Sequence, residues 1–276
     1  MNCHSCGTKL PENRLRCPNI RCKVWNIAGS GWGNVEDSTT LLSDAKLGKV
    51  EYVRTNLVDL CFGGGHGIAR TSVSLIGGDP GAGKTTLCMQ LADIFAEKYN
   101  KEVLYIANEQ DATELKTTAE RLQLRHPNRI RVVNAMGGVT HDIGTLLLHY
   151  EPCATVLDSI TKWAGEDMRL AVVICQRLKD YTVRLNAPTF VINQVTKDGD
   201  HAGLNKLQHA ADTTMLFEVL GDTQEAPRRL HVEKNRFGAA PVSQYYEMTV
   251  RGLVELSEEE AFARLSENPE NGENNA

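Results

Sequence analysis

Residues 78–85, Gly78-Asp79-Pro80-Gly81-Ala82-Gly83-Lys84-Thr85, satisfy G-x-x-x-x-G-K-[ST] at every specified position. Apolar Val73-Ser74-Leu75-Ile76 runs into them, and Leu87-Cys88-Met89-Gln90-Leu91-Ala92 follows with helical character. A glycine loop between strand and helix presents successive backbone N–H groups to phosphates, and the helix N-terminus adds its positive dipole end. Lys84 is placed to reach the β- and γ-phosphates and the Thr85 hydroxyl to ligate Mg²⁺, with Thr86 completing the nucleotide-binding stretch. The motif and its context together point to a nucleoside triphosphate, ATP by default. They also commit the chain to an α/β layout.

The 276 residues have room for one large α/β domain and a small appendage. No apolar run approaches the roughly 20 residues of a membrane span, and Met1-Asn2-Cys3-His4-Ser5-Cys6 has no apolar signal segment. The expectation is a cytoplasmic protein without membrane contact. Its net charge of −5 is carried by residues 257–276, which hold six glutamates against Arg264. The remainder is neutral, so overall charge does not exclude a nucleic-acid partner. Residues 257–276 are expected to form an acidic, disordered tail.

Cys3, Cys6, Cys17 and Cys22 fall within the first 22 residues as C-x2-C and C-x4-C. Two close pairs around a short excursion suit tetrahedral Zn²⁺ held by four thiolates, with His4 as a spare ligand. So short a segment cannot bury a core, and metal binding would supply its folding energy. The expected division is a zinc-binding module over 1–27, a linker over 28–54, and an ATPase domain over 55–256. Cys61, Cys88, Cys153 and Cys175 read as small core residues.

Beyond the linker, apolar strand runs alternate with amphipathic helices. The strands are 73–76, 103–107, 130–133, 155–158 and 189–193; the helices are 85–99, 112–123, 142–149 and 170–185. This alternation predicts a mainly parallel sheet covered on both faces. Runs at 213–219, 229–233 and 244–248, without helices between them, predict an antiparallel extension. Thr155-Val156-Leu157-Asp158 is an apolar strand ending in an acid suited to hold Mg²⁺. Glu109 follows the strand at 103–107, near the sheet edge where ligands bind, and is the candidate to activate the attacking water. Gln194 ends a later strand and is a candidate γ-phosphate sensor.

This ordering resembles the RecA-type ATPase core, and more specifically the bacterial RadA (Sms) family. The resemblance rests on the N-terminal cysteines closing with Trp25-Asn26, the phosphate loop from Leu75, Ala119-Glu120-Arg121-Leu122, and Val195-Thr196-Lys197 with Ala202-Gly203. Gln208-His209-Ala210-Ala211-Asp212-Thr213 and, above all, Lys234-Asn235-Arg236-Phe237-Gly238 also carry it. It covers residues 3 to about 256. The resemblance implies a DNA-stimulated ATPase of homologous recombination and DNA repair, forming a hexameric ring and moving on single-stranded or branched DNA. Recombinase or replication proteins are implied as further partners. The chain departs from the family in its wide second cysteine pair, in Gln194 where histidine is common, and in ending before a Lon-protease-like domain. The last departure fits a short form such as a phage-encoded relative.

In RecA-like folds the loops after the Asp158 and Gln194 strands face the ring channel. That makes Lys162, Trp163, Arg169, Lys197 and Lys206 the candidate DNA contacts, by phosphate pairing and base stacking. Lys234 and Arg236, late in the core, are candidates to reach a neighbouring subunit's γ-phosphate and stabilise transition-state charge. Three other readings share the core: a DnaB-like helicase, a nucleotide-switched binding module, and a KaiC-like signalling ATPase without need of DNA.

Overall fold

The computed structural model describes residues 8, 9, 43, 50–135, 142–193, 201–221, 223 and 225–267. Cys3, Cys6, Cys17, Cys22, Gln194 and Lys197 lie outside the described residues. The chain divides into two compact units, 1–49 and 50–276, and every element named below belongs to the second. No helix among the described residues is long and apolar enough to cross a membrane.

Along the chain run β1 (Tyr52–Val53), α1 (Asp59–Gly63), β2 (Ile68–Ala69), β3 (Val73–Gly78), α2 (Lys84–Tyr99), β4 (Val103–Ala107), α3 (Ala112–Leu122) and β5 (Ile130–Asn134). Then come α4 (Ile143–Tyr150), β6 (Thr155–Asp158), α5 (Ile160–Trp163), α6 (Met168–Leu185), β7 (Thr189–Ile192), α7 (His201–Ala210) and β8 (Thr213–Val219). The strands β9 (Arg228–Asn235), β10 (Val242–Thr249) and β11 (Gly252–Leu256), with helix α8 (Glu258–Glu267), close the unit. Nine strands form one sheet in the order β11-β10-β9-β8-β3-β7-β6-β4-β5. All pairings from β8 to β5 are parallel, and those from β8 to β11 are antiparallel.

Side chains alternate across the parallel strands, as a period of two requires. Val103, Tyr105 and Ala107 of β4, with Phe190 and Ile192 of β7, enter the core that α2 and α3 cover. Leu104, Ile106 and Val191 enter the opposite core, under α4, α6 and α7. Both faces being buried, the strands read as continuous apolar runs. This is the mainly parallel, two-sided α/β architecture expected from sequence.

Four expectations need correction. Residues 213–219 pair in parallel with β3, not as part of the antiparallel extension. The reason is α7, which provides the crossover a parallel connection needs. Val53, inside the expected linker, is fully buried, and β1 pairs with β2, so the folded unit starts earlier than residue 55. Part of the expected disordered tail is α8. Its start is a capping box: the Ser257 hydroxyl accepts from Glu260 N at 3.1 Å, and the Glu260 carboxylate accepts from Ser257 N at 2.8 Å. Ala261 then packs with Tyr245 and Leu256. Finally, α6 begins at Met168 because the Asp167 carboxylate caps Arg169 N and Leu170 N.

Candidate active site

Strand β3 delivers the chain to the glycine loop with little freedom. At Gly78 φ is 135°, and a Cβ there would lie 2.0 Å from the Phe217 carbonyl oxygen on neighbouring β8. Only glycine lets the two strands stay this close. Lys84 is the first residue of α2 and is buried, its Nζ donating to the carbonyls of Gly78 at 2.6 Å and Asp79 at 2.7 Å. Burial draws its pKa down, opposed by the carboxylates of Asp158, Glu109 and Asp79.

Asp158, at the end of β6, faces the start of α2. Its Oδ2 accepts from the Thr85 hydroxyl at 3.1 Å and the Tyr105 hydroxyl at 2.9 Å. Its Oδ1 is buried with no hydrogen-bond partner. Burial pushes the Asp158 pKa up, assisted by the nearby Glu109 charge and opposed by the bonds from Tyr105 and Thr85. An unpartnered, desolvated carboxylate oxygen beside a threonine hydroxyl fits a hard divalent cation. Among the described residues no group of three or more His, Cys, Asp or Glu side chains is arranged for a metal. Mg²⁺ needs none, since it binds through one or two protein ligands, substrate phosphates and water.

Glu109 leaves the end of β4 beside Asp158. The Ser159 hydroxyl donates to Glu109 Oε1 in a short bond. Asn108 locks the same corner: its Oδ1 accepts from Ser159 N at 2.6 Å, and its Nδ2 donates to Ser159 O at 2.9 Å. The sheet order places β7 between β3 and β6, so Asn193 at the end of β7 stands between phosphate loop and acid. Thr161 of α5 donates to Asn193 Oδ1 at 2.6 Å.

The phosphate loop, Glu109 and Asp158 border an open pocket of about 520 Å³. Pro80, Gly81, Gly83, Lys84, Thr85, Thr86, Glu109 and Asp158, all site candidates from sequence, line it together. So do Gln110, Arg121, Lys162, Ile192 and Met248. Arg121 was legible only as part of a family segment. It reaches from α3 to Thr86 Oγ1 at 3.4 Å and to the Val250 carbonyl at 3.1 Å. Tyr105 and Met248 carried no sequence signal, being apolar positions of strands.

The other candidates lie elsewhere. Lys234 and Arg236 do not line the pocket. Lys234 Nζ donates to the carbonyls of Gln208 and His209 at 3.1 Å and of Ala211 at 2.7 Å, capping the end of α7. Arg236 Nη1 lies 3.3 Å from Asp212 Oδ1, which also pairs with Lys179 at 2.5 Å. Trp163 packs against the core beneath α6 and Lys162 borders the nucleotide pocket, whereas Arg169 and Lys206 are exposed.

Comparison with known proteins points to relatives of this sequence and fold. A family model described as "ATPase: KaiC" matches residues 54–128. The chain is 30% identical over 275 residues to the DNA repair protein RadA of Aquifex aeolicus, covering 94% of this chain and 60% of that protein. It is 31% identical to RadA of Listeria monocytogenes and 29% to RadA of Bacillus subtilis, in each case over 92% of this chain and 58% of the relative. The chain thus spans somewhat over half the length of these curated relatives. The KaiC-like protein PH0186 of Pyrococcus horikoshii superposes with a TM-score of 0.62 at 17% identity, over 76% of this chain and all of that one. Over more than nine-tenths of its own length the chain is thus similar to RadA proteins, and it shares the fold of a KaiC-like protein.

Proposed function

We propose that this chain is an ATP hydrolase of RadA type, stimulated by DNA and acting on single-stranded or branched DNA in recombination and repair. The observation that carries the hydrolytic part is Glu109, Asp158, Thr85 and Lys84 gathered around one pocket. Lys84 and the loop N–H groups bind the β- and γ-phosphates. Glu109, oriented by Ser159, accepts the proton of the attacking water. Asp158 Oδ1 and the Thr85 hydroxyl would hold Mg²⁺, which neutralises charge developing on the phosphates. Gln194, next after Asn193, would sense the γ-phosphate.

The DNA part rests on the RadA relatives and on the pentapeptide 234–238. Lys234 and Arg236 stand outside their own nucleotide pocket, so a catalytic contact from them would be made to the nucleotide of a neighbouring subunit. That reading calls for a homo-oligomer, with Arg169, Lys197 and Lys206 as DNA contacts. Cys3, Cys6, Cys17 and Cys22 would hold a structural Zn²⁺. A KaiC-like ATPase without need of DNA is the second reading, favoured by the family match over 54–128.

The site is tested by Lys84→Ala. Loss of this phosphate-binding cation is expected to lower ATP turnover by about 100-fold or more, with the fold kept. Turnover near that of the wild type would remove the pocket from the reaction.

A further inference from the structure

Lys162 is a basic residue in a segment expected to meet DNA, yet it borders the nucleotide pocket. The pocket has a polarity. Arg121, Thr86 and Met248 mark one side, where α3 meets the turn between β10 and β11. Asp158 and Glu109 mark the other, where charge builds on the terminal phosphate. Lys162 belongs to this second side, because α5 follows immediately on Asp158 and Ser159, and Ser159 is bonded to Glu109.

The helix that carries Lys162 is held firmly. Ser159 and Ile160 are fully buried, Asn108 clamps both the N–H and the carbonyl of Ser159, and Thr161 is bonded to Asn193. The Lys162 side chain itself is exposed. An exposed lysine on a firmly held helix, lining the same pocket as two carboxylates and the phosphate loop, is in reach of an anion that enters that pocket.

We propose that Lys162 is a catalytic residue that contacts the γ-phosphate of ATP from within the same subunit. It supplies a second cation opposite Lys84, and it distinguishes triphosphate from diphosphate because ADP has no oxygen at its end of the pocket. Through Thr161 and Asn193, the same four-residue helix ties the state of that phosphate to the end of β7. The proposal rests on the ATPase reading above.

The test measures affinities of the full chain, with Mg²⁺, for ADP and for a non-hydrolysable ATP analogue, in wild type, Lys162→Ala and Lys162→Arg. For Lys162→Ala, affinity for the analogue should fall about tenfold or more, the weight of a charge-assisted hydrogen bond. ADP affinity should stay unchanged, and Lys162→Arg should recover part of the loss. Equal losses for both nucleotides, or no loss for either, would overturn the proposal, as would an effect confined to DNA binding. A wild-type chain that binds neither nucleotide would overturn the ATPase reading together with this one.

Discussion

At the scale of single residues, the site concentrates charge where solvent is scarce. Asp158 is 3% exposed and keeps one carboxylate oxygen without a partner. Its raised pKa means that the folded chain holds this proton above the pH at which the unfolded chain releases it. In that window the folded state binds more protons, so stability falls as pH rises through it. Asp158→Asn should therefore unfold at a higher temperature than wild type at neutral pH, with the gap closing on acidification, while Mg²⁺-dependent nucleotide binding is lost. Melting curves across pH with and without Mg²⁺ check this. A variant less stable at neutral pH would show that the carboxylate stabilises the fold through Thr85 and Tyr105. The wild type's affinity for Mg²⁺-nucleotide should weaken on acidification at a higher pH than an ordinary aspartate would give.

At the scale of elements, the pentapeptide at 234–238 works as a fastening. Lys234 caps α7, Asn235 Nδ2 donates to the carbonyls of Cys61 at 3.1 Å and Phe62 at 3.2 Å in α1, and Arg236 pairs with buried Asp212. Asp212 Oδ2 in turn accepts from Val73 N at 3.1 Å, where β3 begins. A Cβ on Gly238 would lie 2.6 Å from the Gly64 nitrogen, so this corner closes only over glycine. Gly238→Ala should destabilise the domain by about 2 kcal/mol, read from urea unfolding. An unchanged midpoint would mean the loop yields freely. None of this fastening was legible in sequence, where the segment read as a signature with two candidate catalytic cations. Continuous apolar runs were legible: 103–107 and 155–158 are strands to the residue, because both of their faces are buried. Helix α5 was hidden, being a single turn of four residues. The capping box Ser257-x-x-Glu260 was in the sequence and marks α8; the acidic composition masked it.

At the scale of the whole molecule, the sheet sets the phosphate loop and the pentapeptide apart. The ends of β3, β4 and β6 carry the phosphate loop, Glu109 and Asp158, whereas Lys234 pairs with Thr214, level with Leu75 early in β3. Within one subunit the pentapeptide is therefore out of register with the site it is expected to influence. An oligomer resolves this if each subunit's β9 end faces the next subunit's nucleotide. The phosphate loop was legible in sequence, because it needs fixed types at fixed spacing, whereas Gln110, Tyr105 and Met248 were not. The assembly was not, because subunit contacts impose no comparable spacing. The most direct measurement is ATP turnover by the full chain with and without single-stranded DNA, beside its mass in solution with ATP. DNA is expected to raise turnover severalfold, in a species larger than the monomer. Turnover indifferent to DNA in a monomer would contradict that expectation.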